Sequence, residues 1–175
     1  SKISLCAAIV DADLFLMDDG AGGTIRKTTA SRLKTYAGGK VLQIKYAFNT
    51  AAHSTPSTAY STIETVAITP TKAGSVIKLI FSGRSYTAST SIEHYGSFYR
   101  DSTILEQYTG QWSTSGATAQ REIFEYFDAS HNTTSEITYS FQHKSGNSGE
   151  AMIFSPNGGA DGGVYLTAME FDTWL

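Results

Sequence analysis

From Lys40 to Glu170 the apolar residues of this chain recur with a period of two, in short runs closed by polar turn residues. Almost no helical spacing interrupts them. Leu42, Ile44, Tyr46 and Phe48 share one face of a run at 41–48, and Val66 and Ile68 point one way in 62–69. Ile77, Leu79 and Phe81 line one face of 75–82. In 91–100, Tyr95 and Tyr99 fall on one side and Phe98 on the other. Runs at 119–127, 135–143, 151–154 and 164–171 complete about eight strands. The turn spacing suits antiparallel sandwiches, and nothing supplies the crossover helices that a parallel sheet needs. The expected fold is therefore mainly β, with an antiparallel jelly-roll-like β-sandwich over residues 39–175. Tyr46, Phe48, Phe81, Tyr139 and Phe141 are expected in its core.

Residues 1–38 read differently. A short apolar strand at 14–17 is followed by DDGAGG, a turn that acids and glycines make readily, and by a returning strand at 24–28. Thr28 or Thr29 then caps a short helix at 30–36, which Gly38 and Gly39 end. A β-β-α unit this small cannot enclose a core of its own, so it is expected to dock on something else. Leu14, Leu16, Ile25, Leu33 and Tyr36 are expected to form its apolar docking side.

Composition narrows the function classes. Net charge is −3, which leaves no basic surplus to neutralise phosphates, so nucleic acid is not an expected partner. Cys6 stands alone, which excludes an intrachain disulfide framework and a cysteine-rich zinc site. No apolar run reaches the roughly 20 residues of a membrane helix, and membrane insertion is not expected. The apolar stretch before Asp11 and Asp13 is too short to read as a signal peptide.

Catalytic and metal chemistry find little footing. His53, His94, His131 and His143 form no helical metal-ligand spacing and are expected at the surface or at interfaces. Glycoside hydrolysis needs two carboxylates across a groove. Asp101, Glu106, Glu122, Glu125 and Asp128 qualify only in the loose sense that many acids are present, and no solenoid period displays a long groove. NGGADGG lacks the helix and lysine of a phosphate loop and reads as a long hairpin connection. No cofactor, metal or catalytic residue is expected. Trp112, in the polar stretch GQWSTSGA with Tyr108 nearby, could stack on a sugar face or cover a sheet edge or subunit seam.

The opening SKISLCAAIVDADLFLMDDGAGGTIRKTTASRLKTYAGG resembles a recurrent module of tailed-phage fibres and appendages. The remainder, from GKVLQIKY through VAITPTKAGSVIKLIFSG and FYRDSTIL to TYSFQHKSG and YLTAMEF, is similar to a C-terminal β domain of marine and cyanobacterial phage structural proteins. Together the two stretches cover nearly the whole chain. Arg32 stands before Leu33 where the module commonly has an acid, and no shaft or coiled-coil repeat separates the two parts. The resemblance implies a virion location, at the tail ahead of the capsid surface, a homotrimer, and contact with other virion proteins and with host-surface glycan. Head fibres and capsid decoration proteins use the same parts. On this reading Arg84, Tyr86, Tyr108 and Trp112 are the candidate receptor contacts, carried on loops at 82–90 and 108–117. Loops at 144–150 or 157–163 would join them.

Overall fold

The structure is a computed structural model that describes residues 14–18, 25–29, 41–87, 92–112, 118–149, 151–154 and 163–172. The chain divides into two units, Ser1–Lys40 with Trp174–Leu175, and Val41–Thr173. In the first, β1 (Leu14–Asp18) and β2 (Ile25–Thr29) form an antiparallel hairpin in which Leu14 opposes Thr29 and Asp18 opposes Ile25. The helix expected at 30–36, with Leu33 and Tyr36, lies outside the described residues.

The second unit is built from antiparallel strands, and among the described residues there is no helix. In chain order they are β3 (Val41–Asn49), β4 (His53–Thr55), β5 (Ser61–Ile68), β6 (Val76–Thr87) and β7 (Ile92–Arg100). Then come β8 (Thr103–Trp112), β9 (Thr118–Asp128), β10 (Ile137–Ser145), β11 (Met152–Phe154) and β12 (Val164–Phe171). One sheet has the order β5-β10-β7-β8. In the other, β9 runs along one side of β6, while β12 pairs with residues 76–82 of its other side and β11 with 85–87. Outside these lie β3 against β12 and β4 against β11. β3/β4 and β12/β11 therefore act as two interrupted strands, and each sheet has four lanes.

The interruption explains Gly83. It sits in β6 where β12 and β11 meet, and a Cβ there would stand 2.8 Å from Val164 Cγ1 and 3.3 Å from Phe154 Cδ1. That glycine reads as the end of a strand in the sequence, yet β6 runs four residues past it.

The core forms where the two sheets face each other. Ile63, Val66 and Ile68 of β5, with Ile137, Tyr139 and Phe141 of β10, meet Ile77, Leu79 and Phe81 of β6 and Val164, Leu166 and Ala168 of β12. Among the described residues the closest ring pair is Phe81 with Phe141, one from each sheet, stacked at 3.9 Å between centroids and 11°. Phe98 and Phe154 meet this pair edge-on at 5.0 and 5.4 Å. Each such contact contributes about 0.5–1.5 kcal/mol beyond area burial. At one edge the Tyr108 hydroxyl of β8 donates to the Glu125 carbonyl of β9, tying the sheets together.

Phe81, Tyr139 and Phe141 are fully buried as expected, but Tyr46 is 71% and Phe48 47% exposed. The period-two reading of β3 holds for Ile44, Tyr46 and Phe48, which share a face, but not for Leu42, which sits in the bulge between Gln43 and Val41. That face is the outer one: their register partners Met169, Thr167 and Tyr165 alternate with the buried Leu166 and Ala168 of β12. Alternation fixes which residues share a face, not which face is inside.

Candidate functional site

The sandwich has two distinct ends. The chain enters it at Val41, opposite Phe171, which in turn opposes Val76 at the start of β6. Ten residues along β6, roughly 33 Å at about 3.3 Å per residue, Tyr86 opposes Ala119 near the start of β9. The start of β7 joins that end, since His94 Nε2 lies 3.5 Å from Glu122 Oε1. Trp112 closes β8 opposite Ile92. Arg84, Tyr86 and Trp112 thus belong to the end away from Val41.

All four receptor candidates lie on strands and not on loops: Arg84 and Tyr86 in β6, Tyr108 and Trp112 in β8. β8 is missing from the period-two reading because a register shift at Phe98/Tyr99 breaks its alternation and, among its described side chains, only Leu105 and Tyr108 reach the core. Arg84 and Tyr86 occupy outward positions of their sheet. Tyr108 points the other way, its ring against Phe98 at 5.9 Å and Phe124 at 5.1 Å. Burial, with Glu106 nearby, pushes its hydroxyl pKa up to about 12. The structure does not bring Tyr108 together with Arg84 and Tyr86, and the side chain of Trp112 lies outside the described residues. Among the docking residues, register puts Leu14, Leu16 and Ile25 at positions of one face of the β1–β2 hairpin.

Among the described residues the buried ionisable groups form three clusters. Asp128, fully buried, accepts from Arg100 Nη1 at 2.8 Å, the Tyr139 hydroxyl at 2.7 Å and the amide and hydroxyl of Ser130, each at 2.9 Å. Burial alone would raise its pKa, but these bonds outweigh it and hold the carboxyl below the usual range. Glu170 accepts from Ser75 Oγ at 2.7 Å, Gln43 Nε2 at 2.7 Å and the Thr71 amide at 2.8 Å, with the same net result. At the end away from Val41, Ser85 Oγ donates to Glu122 Oε1 at 2.9 Å beside His94, and His143 lies 5.2 Å from the Phe154 ring.

His94, His131 and His143 are therefore buried, not at the surface as their polar sequence context suggests. The strand parity of their β-neighbours carries His94 and His143 inward. Of the five carboxylates considered for hydrolysis, four are engaged: Asp128 and Glu122 as above, Glu125 with Lys78 at 3.1 Å, and Asp101 by the Thr138 amide at 3.1 Å. Among the described residues no group of three or more His, Cys, Asp or Glu is placed to hold a metal ion, and no helix is long and apolar enough to cross a membrane.

The outer faces of the two sheets differ in chemistry. On the β5–β10–β7–β8 sheet, β10 presents Thr138, Ser140, Gln142 and Lys144 outward, opposite Tyr99, Ser97 and Tyr95 of β7. Lys144 lies over Tyr60 and Tyr95 at 4.7 and 4.9 Å from their centroids. On the other sheet, Val41, Ile44, Tyr46 and Phe48 of β3, Tyr165 of β12, and Ile123 and Phe127 of β9 all face outward. They are 38–71% exposed. Sequence reasoning missed this face, though a signal exists: VYLTAMEF is apolar on both parities, as strands buried on both faces are.

No family model matches the sequence, and no curated protein matches it. Similar solved structures include the VP2 subviral particle of infectious bursal disease virus, at 11% identity and a TM-score of 0.43. That match covers 93% of this chain and 43% of the other. T=1 particles derived from the same virus match at 12% and 0.44, over 93% and 42% of the two chains. Dimeric latent PorU from Porphyromonas gingivalis matches at 10% and 0.34, over 90% and 18%. The chain spans about two fifths of the length of the bursal disease virus chains, between 40% and 43%. Similarity at this level assigns neither family nor activity.

Proposed function

We propose that this chain is a virion structural protein of a tailed bacteriophage, a homotrimeric tail fibre or receptor-binding appendage without catalytic activity. Its N-terminal unit docks on other virion proteins, and its β domain meets host-surface glycan. The reading draws on the phage-module resemblance of residues 1–38 and on the strand order of the second unit. Lanes β3/β4, β12/β11, β6 and β9 facing β5, β10, β7 and β8 follow the order of a jelly roll, an architecture used by capsid and lectin domains.

The observation that carries the appendage reading is the end-to-end layout. The chain enters at Val41, and Arg84, Tyr86 and Trp112 lie at the far end. A tethered domain of this layout offers its far end to a ligand. With net charge −3 it gains little from electrostatic capture of an acidic surface, so weak sites act through several copies. The test is adsorption of phage carrying Trp112→Ala, Tyr86→Ala or Arg84→Ala. At least one is expected to lower adsorption without lowering the protein's melting temperature. Unchanged adsorption in all three overturns the receptor role and favours a head fibre or capsid decoration protein, a reading that the jelly-roll order also supports.

A further inference from the structure

We infer that the outer face of the β3–β12–β6–β9 sheet is the surface through which copies of this chain contact one another. An antiparallel sheet with one face in water keeps that face polar. The opposite sheet obeys this, with exposed Thr138 and half-buried Gln142 and Lys144 along β10, and Ser140 covered between them. The β3–β12–β6–β9 sheet does not. Seven of the eight large hydrophobic residues exposed among those described lie on its outer face, and Ile104 is the exception.

Area supports a protein occupant of ordinary size. At roughly 150–250 Å² per whole aromatic side chain, and with exposures of 38–71%, these seven leave on the order of 700 Å² of apolar surface uncovered. The largest patch on a typical monomer is about 300–600 Å², and a standard interface covers about 800 Å² per partner.

Charge and layout favour a second copy. Lys78, the cation in the middle of the face, is held by Glu125 at 3.1 Å and lies 5.3 Å from the Phe127 centroid. It is neutralised in place, so two copies of this face meet at Lys78 without like-charge repulsion, and the other two cations of the face, Arg84 and Arg121, oppose each other away from it, towards the far end of β6 and β9. Tyr46, Phe48 and Tyr165 form one exposed row and Ile123 and Phe127 another. Between them runs the half-buried row of Lys78, Ile80 and Ser82 on β6. A closed threefold ring presents different parts of one surface to its two neighbours, and the two separate apolar rows of this face supply them. The inference rests on the proposed function only in taking the assembly to be homomeric.

The test is the mass of the full chain in solution at micromolar concentration, by light scattering. Wild type is expected at a multiple of 18.8 kDa, threefold for the trimer proposed above. Tyr46→Glu and Ile123→Glu are expected to reduce it to a single chain while the strand circular dichroism is retained, and Gln142→Lys on the opposite face is expected to leave it unchanged. A monomeric wild type overturns the interface and leaves the virion reading to experiments on particles. An assembly that survives both glutamate substitutions places its contacts elsewhere and also overturns it. Should the glutamate variants unfold, hydroxyl-radical labelling of wild type decides. Tyr46 and Phe127 are expected to react more slowly in the assembly than on dilution to single chains, and equal rates refute the assignment.

Discussion

His143 shows how a polar residue in a β-core links stability to pH. Burial, with His94 and His53 nearby, lowers its pKa from 6.5 to about 4. Between those values the unfolded chain binds more protons than the folded one. The stabilisation is therefore complete above pH 6.5 and lost as pH falls towards 4, by an amount on the order of 3 kcal/mol. Chemical denaturation at stepped pH is expected to show that slope in wild type and a shallower one in His143→Gln. Asp128 and Glu170, whose carboxyl pKa values are held below the ordinary 3.8 and 4.5, add a separate loss of stability at still lower pH, as pH falls below those ordinary values. Asp128 makes a second case. Asp128→Ala strands the buried Tyr139 hydroxyl and leaves Arg100 without its carboxylate. Arg100 is itself 22% exposed, so the expected loss is about 3 kcal/mol, at the lower end for breaking a buried pair.

At the scale of elements, most of the strands could be read from alternation. β5, β7, β10 and the first half of β6 fall where the apolar period places them, with Val66, Ile68, Ile77, Leu79, Phe81 and Phe98 buried. β8 could not, because its register shift spoils the period and its core contribution is small. The continuation of β6 past Gly83 could not either, since a glycine signals a turn unless the strands converging on it are known. β3 was legible as a strand but not in its orientation, which depends on the bulge and pairing with β12. The candidate site was less legible than the fold. Its residues were expected on loops, whereas Arg84 and Tyr86 reach the far end on a long β6. The seam gives a direct check on this account: Gly83→Val drives side-chain atoms into Val164 and Phe154 and is expected to cost about 1–3 kcal/mol of unfolding free energy. A neutral substitution would mean that β11 and β12 do not converge there.

For the molecule as a whole, the two outer faces and two ends of the sandwich divide its surface into parts with different chemistry. The apolar face of the β3–β12–β6–β9 sheet suits self-association, and the hydroxyl-rich face opposite suits water. The Val41 end receives the chain, and the far end carries the candidate receptor contacts. The proposed role as a structural component of a phage particle is open to one decisive measurement, cryo-electron microscopy of purified virions of the source phage. A threefold appendage is expected at the tail, whose distal density fits residues 41–172 as a four-lane on four-lane sandwich with its Val41 end towards the particle. Purified, infectious virions that lack the chain, both in density and by mass spectrometry, would contradict it.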